Sequence, residues 1–476
     1  MKKITFARGL LAFVFALFLI WPAMSYPQEM KSPAEIVYTP LTFSPPKAER
    51  VQLDNGIVLY LIEDHELPLI EISLVLRTGS AYDPQGLEGL AEITGEVMRT
   101  GGTESMSGDE IDEQLDFIAA DVDVSIERET GSATYSSLKA DLNRGLSLFA
   151  RIIMEPKFNE DKVVRAKELK VDELKRINDN PQKLAFREFT KVLFKDNTRG
   201  RQASIQSVNR IVRQDLVDFH KKYFVPSNIM MAVTGDFLKA EILKKIDRHF
   251  GAWRSYASIG RIAPPDSLRE GGLYYCYKDT PQTVIITGQI GPGQRDRNYY
   301  TMEVLDFIVG SGGFKSRIFS EVRDKRGLAY SAGSFYSPRD EYGIFGAYAM
   351  TRPNATAEVT SVILSILEKM KTSPVEDAML KWAKDSITNR FVFSFTSAAQ
   401  IARQQMMIEF DSLEKSFMET FCRRIGEVTA DDIKHAAATY FNGETRTIFV
   451  LGNSVHFDKP LSTFGEVIKI EKKECD

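Results

Sequence analysis

The sequence predicts an α+β fold of two homologous domains, each a mainly antiparallel sheet covered by helices on one face. Three observations lead there. The chain has 476 residues, and single domains centre on roughly 100–200 residues, so one domain does not suffice. Strand-like and helix-like segments come in groups, not in strict β-α-β alternation. The chain also repeats itself. Asp215-Leu216 precedes Tyr223-Phe224 as Asp432-Ile433 precedes Tyr440-Phe441, and the apolar strands that follow run into Gly235 and Gly452. The helix pair and the glycine pair are separated by the same offset along the chain. Two ordinary helix–strand units matching by chance are the alternative to a duplication.

Residues 1–25 read as a signal peptide. Lys2, Lys3 and Arg8 precede the twelve-residue apolar run Leu10–Trp21, and Ala23-Met24-Ser25 offers a cleavage site. Such a run makes a helix of about 18 Å, short of the roughly 30 Å hydrocarbon core. The expectation is a periplasmic or secreted chain with no membrane span in its mature form; an uncleaved anchor is the alternative. Residues 26–46, with five prolines, read as an extended leader.

The N-terminal domain is expected over 47–251. Val51–Leu53 and Ile57–Ile62 flank Asp54-Asn55-Gly56, a hairpin signal, and Ile70–Leu76 alternates as a third strand. Helices are expected at about 86–100 and 108–119, then strands over 121–137. Further helices follow at about 140–153, 159–177, 182–195, 207–224 and 238–250, with a strand from Ile229 to Val233. Residues 252–268, carrying Pro264-Pro265, read as a linker. The C-terminal domain, 269–476, opens with strands Gly272–Lys278 and Thr283–Gln289 and repeats the order.

Composition excludes several classes. A charged fraction of 26% with 43% hydrophobic residues fits neither a disordered chain nor a polytopic membrane protein. A net charge of −4 offers no nucleic-acid footprint. Three cysteines are too few and scattered for a disulfide framework, and are expected unpaired, buried or far apart. No two of the five histidines are spaced as in H-E-x-x-H.

On the helix near residue 90, Leu87, Leu90, Ala91, Thr94, Val97 and Met98 form the buried stripe. Glu88, Glu92 and Glu96 form a row on another face, which composition alone reads as solvated. The surrounding string, Gly89-Leu90-Ala91, Met98, Gly101-Gly102-Thr103, resembles the insulinase, pitrilysin and mitochondrial processing peptidase family of inverted zinc peptidases. Their segment reads G-L-A-H-x-x-E-H-M, followed shortly by G-T. The resemblance puts Glu92 and Glu96 at the two histidine ligands and Gly95 at the general base. Glu173, in Val171-Asp172-Glu173-Leu174, falls at the third ligand. Zinc prefers nitrogen and sulfur donors, and Gly95 has no group to take a proton from a metal-bound water. These four are therefore degenerate metal positions, and no cofactor is expected in this chain.

A second string carries the resemblance further. Ser316-Arg317-Ile318-Phe319 and Val322-Arg323-Asp324-Lys325-Arg326-Gly327-Leu328-Ala329-Tyr330-Ser331 match the family's C-terminal signature. Phe314–Asp324 patterns as a helix with Ile318, Phe319 and Val322 inward, and Leu328–Phe335 as a strand. In the family an Arg and a Tyr at this spacing bind substrate backbone, which implies that role for Arg323 and Tyr330; a guanidinium fork and a phenol are donors suited to a carbonyl or oxyanion. The bland alternative makes Arg323 a helix-end cation and Tyr330 a core strand residue. Arg317 and Arg326 read as structural or surface residues. The resemblance spans about Val51 to Gly452. It implies a chain inactive alone that supplies Arg323 and Tyr330 in trans, within a heterodimeric endopeptidase, to a zinc-motif homologue, the two closing on an unfolded peptide with zinc in the partner. A proteolytically inactive peptide-binding or scaffold protein of the same fold is the alternative.

Overall fold

The Asp54–Gly56 turn closes an antiparallel hairpin of β1 (Glu49–Gln52) and β2 (Val58–Glu63). The alternating segment after it becomes β3 (Leu69–Arg77), and the remaining strands of the first sheet are β4 (Asp121–Ile126), β5 (Thr130–Leu138) and β6 (Ile229–Gly235). Their order is β1-β2-β6-β3-β5-β4, with β2 and β6 parallel and the other pairs antiparallel. The computed structural model describes residues 44–470. The expected signal peptide, residues 26–43 of the expected leader, and Cys475 lie outside the described residues.

Helices of the first half are α1 (Leu90–Thr100), α2 (Gly108–Phe117), α3 (Leu142–Met154), α4 (Glu160–Ile177), α5 (Pro181–Phe194), α6 (Ile205–Arg210), α7 (Arg213–Tyr223) and α8 (Lys239–Phe250). The single helix expected over 207–224 is two. Ile211 and Val212 adopt extended backbone, and the Asp215 carboxylate accepts from the Val212 amide to start α7 afresh. Residues 252–268 hold no regular element, yet the buried Arg199 guanidinium donates to the Ile262 and Ala263 carbonyls and pins the segment.

The second half repeats the plan. Strands β7 (Gly272–Tyr277), β8 (Thr283–Pro292), β9 (Ala329–Pro338), β10 (Tyr342–Thr351), β11 (Thr447–Gly452) and β12 (Val467–Ile470) are ordered β12-β7-β11-β8-β10-β9. The C-terminal β12 takes the edge that β1 holds in the first sheet, but runs parallel to its neighbour. Helices α9 (Tyr299–Asp306), α10 (Thr356–Thr372), α11 (Asp377–Phe393), α12 (Ala398–Phe410), α13 (Phe417–Glu427) and α14 (Ala430–Tyr440) follow. The starts of α4, α5 and α7 are separated from those of α11, α12 and α14 by the same offset that relates Gly235 to Gly452, so the duplication extends through the helices.

Each half's own helices cover one sheet face. The opposite faces are closed by an exchange. Helix α5 puts Leu184, Phe189 and Leu193 against Val284, Ile286 and Phe449 of the second sheet. Its repeat, α12, puts Ile401, Ala402 and Met406 against Val58, Tyr60 and Ala232 of the first. This is why β8 is buried along its whole length, its polar Thr283, Thr287 and Gln289 included. Polar ties reinforce the exchange. Arg50 forks Glu409 of α12 at 2.6 and 2.8 Å, and the Tyr342 hydroxyl donates to Glu129 at 2.7 Å. Cys276 is buried and disulfide-bonded while Cys422 is a free thiol, which corrects the expectation that the cysteines stand unpaired.

Candidate functional site

Helix α1 is launched by a buried side chain. The Asp83 carboxylate accepts from the Gly89 amide at 2.8 Å and the Ala91 amide at 2.9 Å, satisfying two donors that a helix start leaves open. Burial pushes its pKa up to about 7 despite these bonds, and the charges of Glu92 and Glu88 add to the rise. Leu90, Ala91, Thr94, Val97 and Met98 are buried as expected, together with Ile93 and Gly95, whereas Leu87 is half-buried and precedes the helix. Gly95 faces the sheet: a Cβ there would sit 3.0 Å from Ile126 Cγ1 of β4. The position where the family carries its base is thus a close helix–strand contact.

The acidic row meets an unexpected partner. Lys170, on α4, ion-pairs with both Glu92 and Glu173, the latter at 2.9 Å, and its side chain is only 15% exposed. Burial works against the ammonium, but attraction from Glu92 and hydrogen bonds to Glu92 and Glu173 outweigh it and hold its pKa above the ordinary lysine value. Glu96 is exposed and outside this group. The fold therefore brings Glu92 and Glu173 together through a lysine and leaves Gly95 and Glu96 apart. Among the described residues no cluster of three or more His, Cys, Asp or Glu is placed to hold a metal ion. The donor set does not fit zinc: an ammonium already stands between the two carboxylates, and it cannot act as a Lewis acid. Buried His220, its pKa pushed down to about 4 by burial, sits against Phe158 and Phe224 and serves the core.

Lys170 escaped the sequence reading because its link to Glu92 spans two helices. The local sign was its place three positions before Glu173, the spacing of a helical ion pair. Replacing Lys170 with Met is expected to lower stability by about 1–2 kcal/mol, since it leaves two facing carboxylates unpaired. Urea unfolding checks this.

In the second half, Arg390 stands at the repeat position of Glu173, its guanidinium 5.7 Å from the Phe307 ring. Glu303 and Asp306 of α9 lie nearby, and burial drives their pKa values up to about 7 and about 6. The Ser334 hydroxyl donates to Asp306 at 2.5 Å. With Asp83, these carboxyls retain in the fold protons that an unfolded chain releases near pH 4. The folded state binds more protons across that window, so stability is expected to fall as pH rises from about 4 to 7. Glu303→Gln should flatten the decline, as read by urea unfolding between about pH 5 and 8.

The second string folds differently from its pattern. Instead of one α-helix over 314–324, a 3-10 turn at Gly313–Lys315 leads to a π-helical stretch, Phe319–Asp324. Ile318 and Val322 are fully buried, as expected. Phe319 is half-exposed, a correction: it lies beneath Arg323, whose guanidinium is 4.7 Å from its ring centre. Gly327, at φ +60°, reverses the chain into β9, the edge strand of the sheet. This turn returns Tyr330 to Arg323, guanidinium over phenol ring at 4.9 Å. Tyr330 is 80% exposed, so it is no core residue. Among the described residues neither side chain makes a hydrogen bond or ion pair, which leaves the guanidinium N–H groups and the phenol hydroxyl available to a ligand beside an open strand edge. Among the same residues no hydrogen bond, ion pair or ring contact joins this pair to the Glu92–Lys170–Glu173 group.

Two sheets of repeated order, a helix whose Glu92 is tied to Lys170 and an exposed Arg/Tyr pair define a duplicated α+β protein with no metal cluster among its described residues. Known proteins share this fold. The family model described as insulinase (peptidase family M16) matches residues 58–204, and the one described as peptidase M16 inactive domain matches 210–387. The chain belongs to the insulinase family of peptidases. It is 27% identical to an "uncharacterized zinc protease" of Rickettsia bellii over 334 residues, 69% of this chain and 80% of that one. A second protein so described, from Rickettsia felis, is 23% identical over 85% of this chain and 97% of its own. A crystal structure of a peptidase M16 inactive domain from Pseudomonas fluorescens superposes with a TM-score of 0.79 at 25% identity, covering 87% of this chain and 100% of that one.

Proposed function

We propose that this chain is the non-metal, substrate-binding subunit of a heterodimeric zinc endopeptidase, with Arg323 and Tyr330 acting in trans on a peptide held against a partner that carries the zinc motif. The observation that carries the reading is the Lys170 ammonium between Glu92 and Glu173, where a working member of the family would hold its metal. Selective loss supports it, since the carboxylates on the metal side are engaged by a lysine while the Arg323–Tyr330 face keeps its donors unengaged. The free edge of β9 beside Tyr330 suits an extended peptide, which adds to an open strand through main-chain hydrogen bonds. We place the pair in the periplasm or outside the cell: the sequence begins as an exported chain does, and a disulfide at Cys276 suits an oxidising compartment.

The test mixes the purified chain with a zinc-motif homologue from the same genome and follows cleavage of an unstructured peptide. Neither chain alone should cleave efficiently, and the mixture should do so in a chelator-sensitive manner. A stable homodimer that ignores such homologues would instead favour the scaffold role. Chelator-sensitive cleavage by this chain alone, free of contaminants, would overturn the proposal.

A further inference from the structure

Behind the Arg323 helix lies a second cleft. It has a volume of about 580 Å³ and is bounded by the Gly313–Lys315 turn, the outer side of Phe319–Asp324, one face of α10 and the start of α11. Five cations line it, and two of them are engaged: Lys325 ion-pairs with Glu321 at 2.6 Å, and Arg326 lies 3.7 Å from the same carboxylate. The other three, Lys315, Arg317 and Lys369, make no ion pair among the described residues; Glu376 is the second carboxylate of the cleft, and Lys369 also feels the charge of Glu321. Among the described residues none of Lys315, Arg317, Lys369 and Glu376 makes an ion pair or a side-chain hydrogen bond; Lys315 lies only over the Trp382 ring at 5.9 Å. Burial disfavours the charge on Arg317, and Glu376 is the one charge that eases it. A positive excess in a concave site, on a chain of net charge −4, is a design for an anion.

We infer that this cleft binds a phosphate-type dianion. A dianion satisfies the three unpaired cations more completely than one carboxylate would, and an arginine fork matches phosphate geometry. The Ser320 and Ser365 hydroxyls, which make no side-chain hydrogen bond among the described residues, add neutral donors. Val362, Ile366 and Met379 give the cleft an apolar wall on which the body of a phosphate ester could rest. Its volume lies within the range of small-molecule sites, roughly 300–1,000 Å³. The π-helical stretch carries Ser320 and Glu321 on the cleft side and Phe319 and Arg323 on the other, so an occupant would brace the turn that presents Arg323.

Titration calorimetry on the intact chain tests this with inorganic phosphate and, separately, phenyl phosphate, at constant ionic strength with chloride as the blank. Saturable one-to-one binding is expected, weakened about tenfold or more by Lys369→Gln and by Arg317→Gln. Lys369 is exposed, so its variant keeps the fold and carries the test should Arg317→Gln fail to fold. Tighter binding of phenyl phosphate would support an ester as the ligand, and equal affinity would support free phosphate. The absence of saturable binding to either, or binding that Lys369→Gln leaves unchanged, would overturn the assignment.

Discussion

Arg323→Ala is expected to lower kcat/KM of the mixed, peptide-cleaving pair by about 10²–10³-fold, the loss that follows removal of one donor from an oxyanion-stabilising group. Tyr330→Phe should approach the same loss while keeping the ring that the guanidinium covers. Neither residue has a hydrogen-bond or ion-pair partner among the described residues, and Tyr330 is 80% exposed. Thermal unfolding of this chain should therefore stay within the small range of surface substitutions, about 0.5 kcal/mol. The combination matters, because a structural role for Arg323 as a helix-end cation would move stability and leave kinetics alone. Steady-state kinetics and calorimetric melting on the same preparations separate the two. Unchanged cleavage by both variants would remove the trans role.

Rebuilding the family motif in this chain should fail for two separate reasons. The triple variant Glu92→His, Gly95→Glu, Glu96→His places a carboxyl-bearing side chain where even a Cβ already comes to 3.0 Å of Ile126. Overpacking together with a poorly solvated carboxylate is expected to cost about 2–4 kcal/mol. Lys170 would still stand between position 92 and Glu173, competing with a cation for the same space. Less than stoichiometric zinc by elemental analysis and no peptide hydrolysis are the expected results. Adding Lys170→Ala and Ile126→Ala should raise zinc content, because the first frees Glu173 and the second makes room for the new side chain. Full zinc loading of the triple variant with Lys170 in place would show that the lysine is no barrier.

The elements legible in the sequence are those whose causes are local. The Asp54–Gly56 turn, the alternation in Leu69–Arg77 and the stripe of α1 each depend on neighbours close along the chain, so periodicity finds them. The internal repeat was visible at α7 and α14 and proves to include α4, α5, α11 and α12. Periodicity does not record caps, local packing or contacts between elements. The break at Ile211 and Val212 depends on a cap made by Asp215. The π-helical stretch and the outward turn of Phe319 are bound up with Arg323 above the ring, and with Val322 and Ile318 packing below. The Asp83 carboxylate meets the Gly89 and Ala91 amides, and Lys170 meets Glu92, only once the chain has folded back.

By itself the sequence determined the class of the two domains, the presence of Glu92, Gly95 and Glu96 in the string that resembles the family's metal motif, and the close spacing of Arg323 and Tyr330. Residue identity and short-range spacing are sufficient for those, because they state which chemical groups exist and which lie close along the chain. Only the tertiary structure decided that a lysine stands between Glu92 and Glu173, and that α5 and α12 change sides to close the opposite sheet. It alone turned Tyr330 outward to meet a guanidinium. Each of these is a contact between separate elements, and its free energy depends on distance in space and on exclusion of water, neither of which is written in the order of the residues.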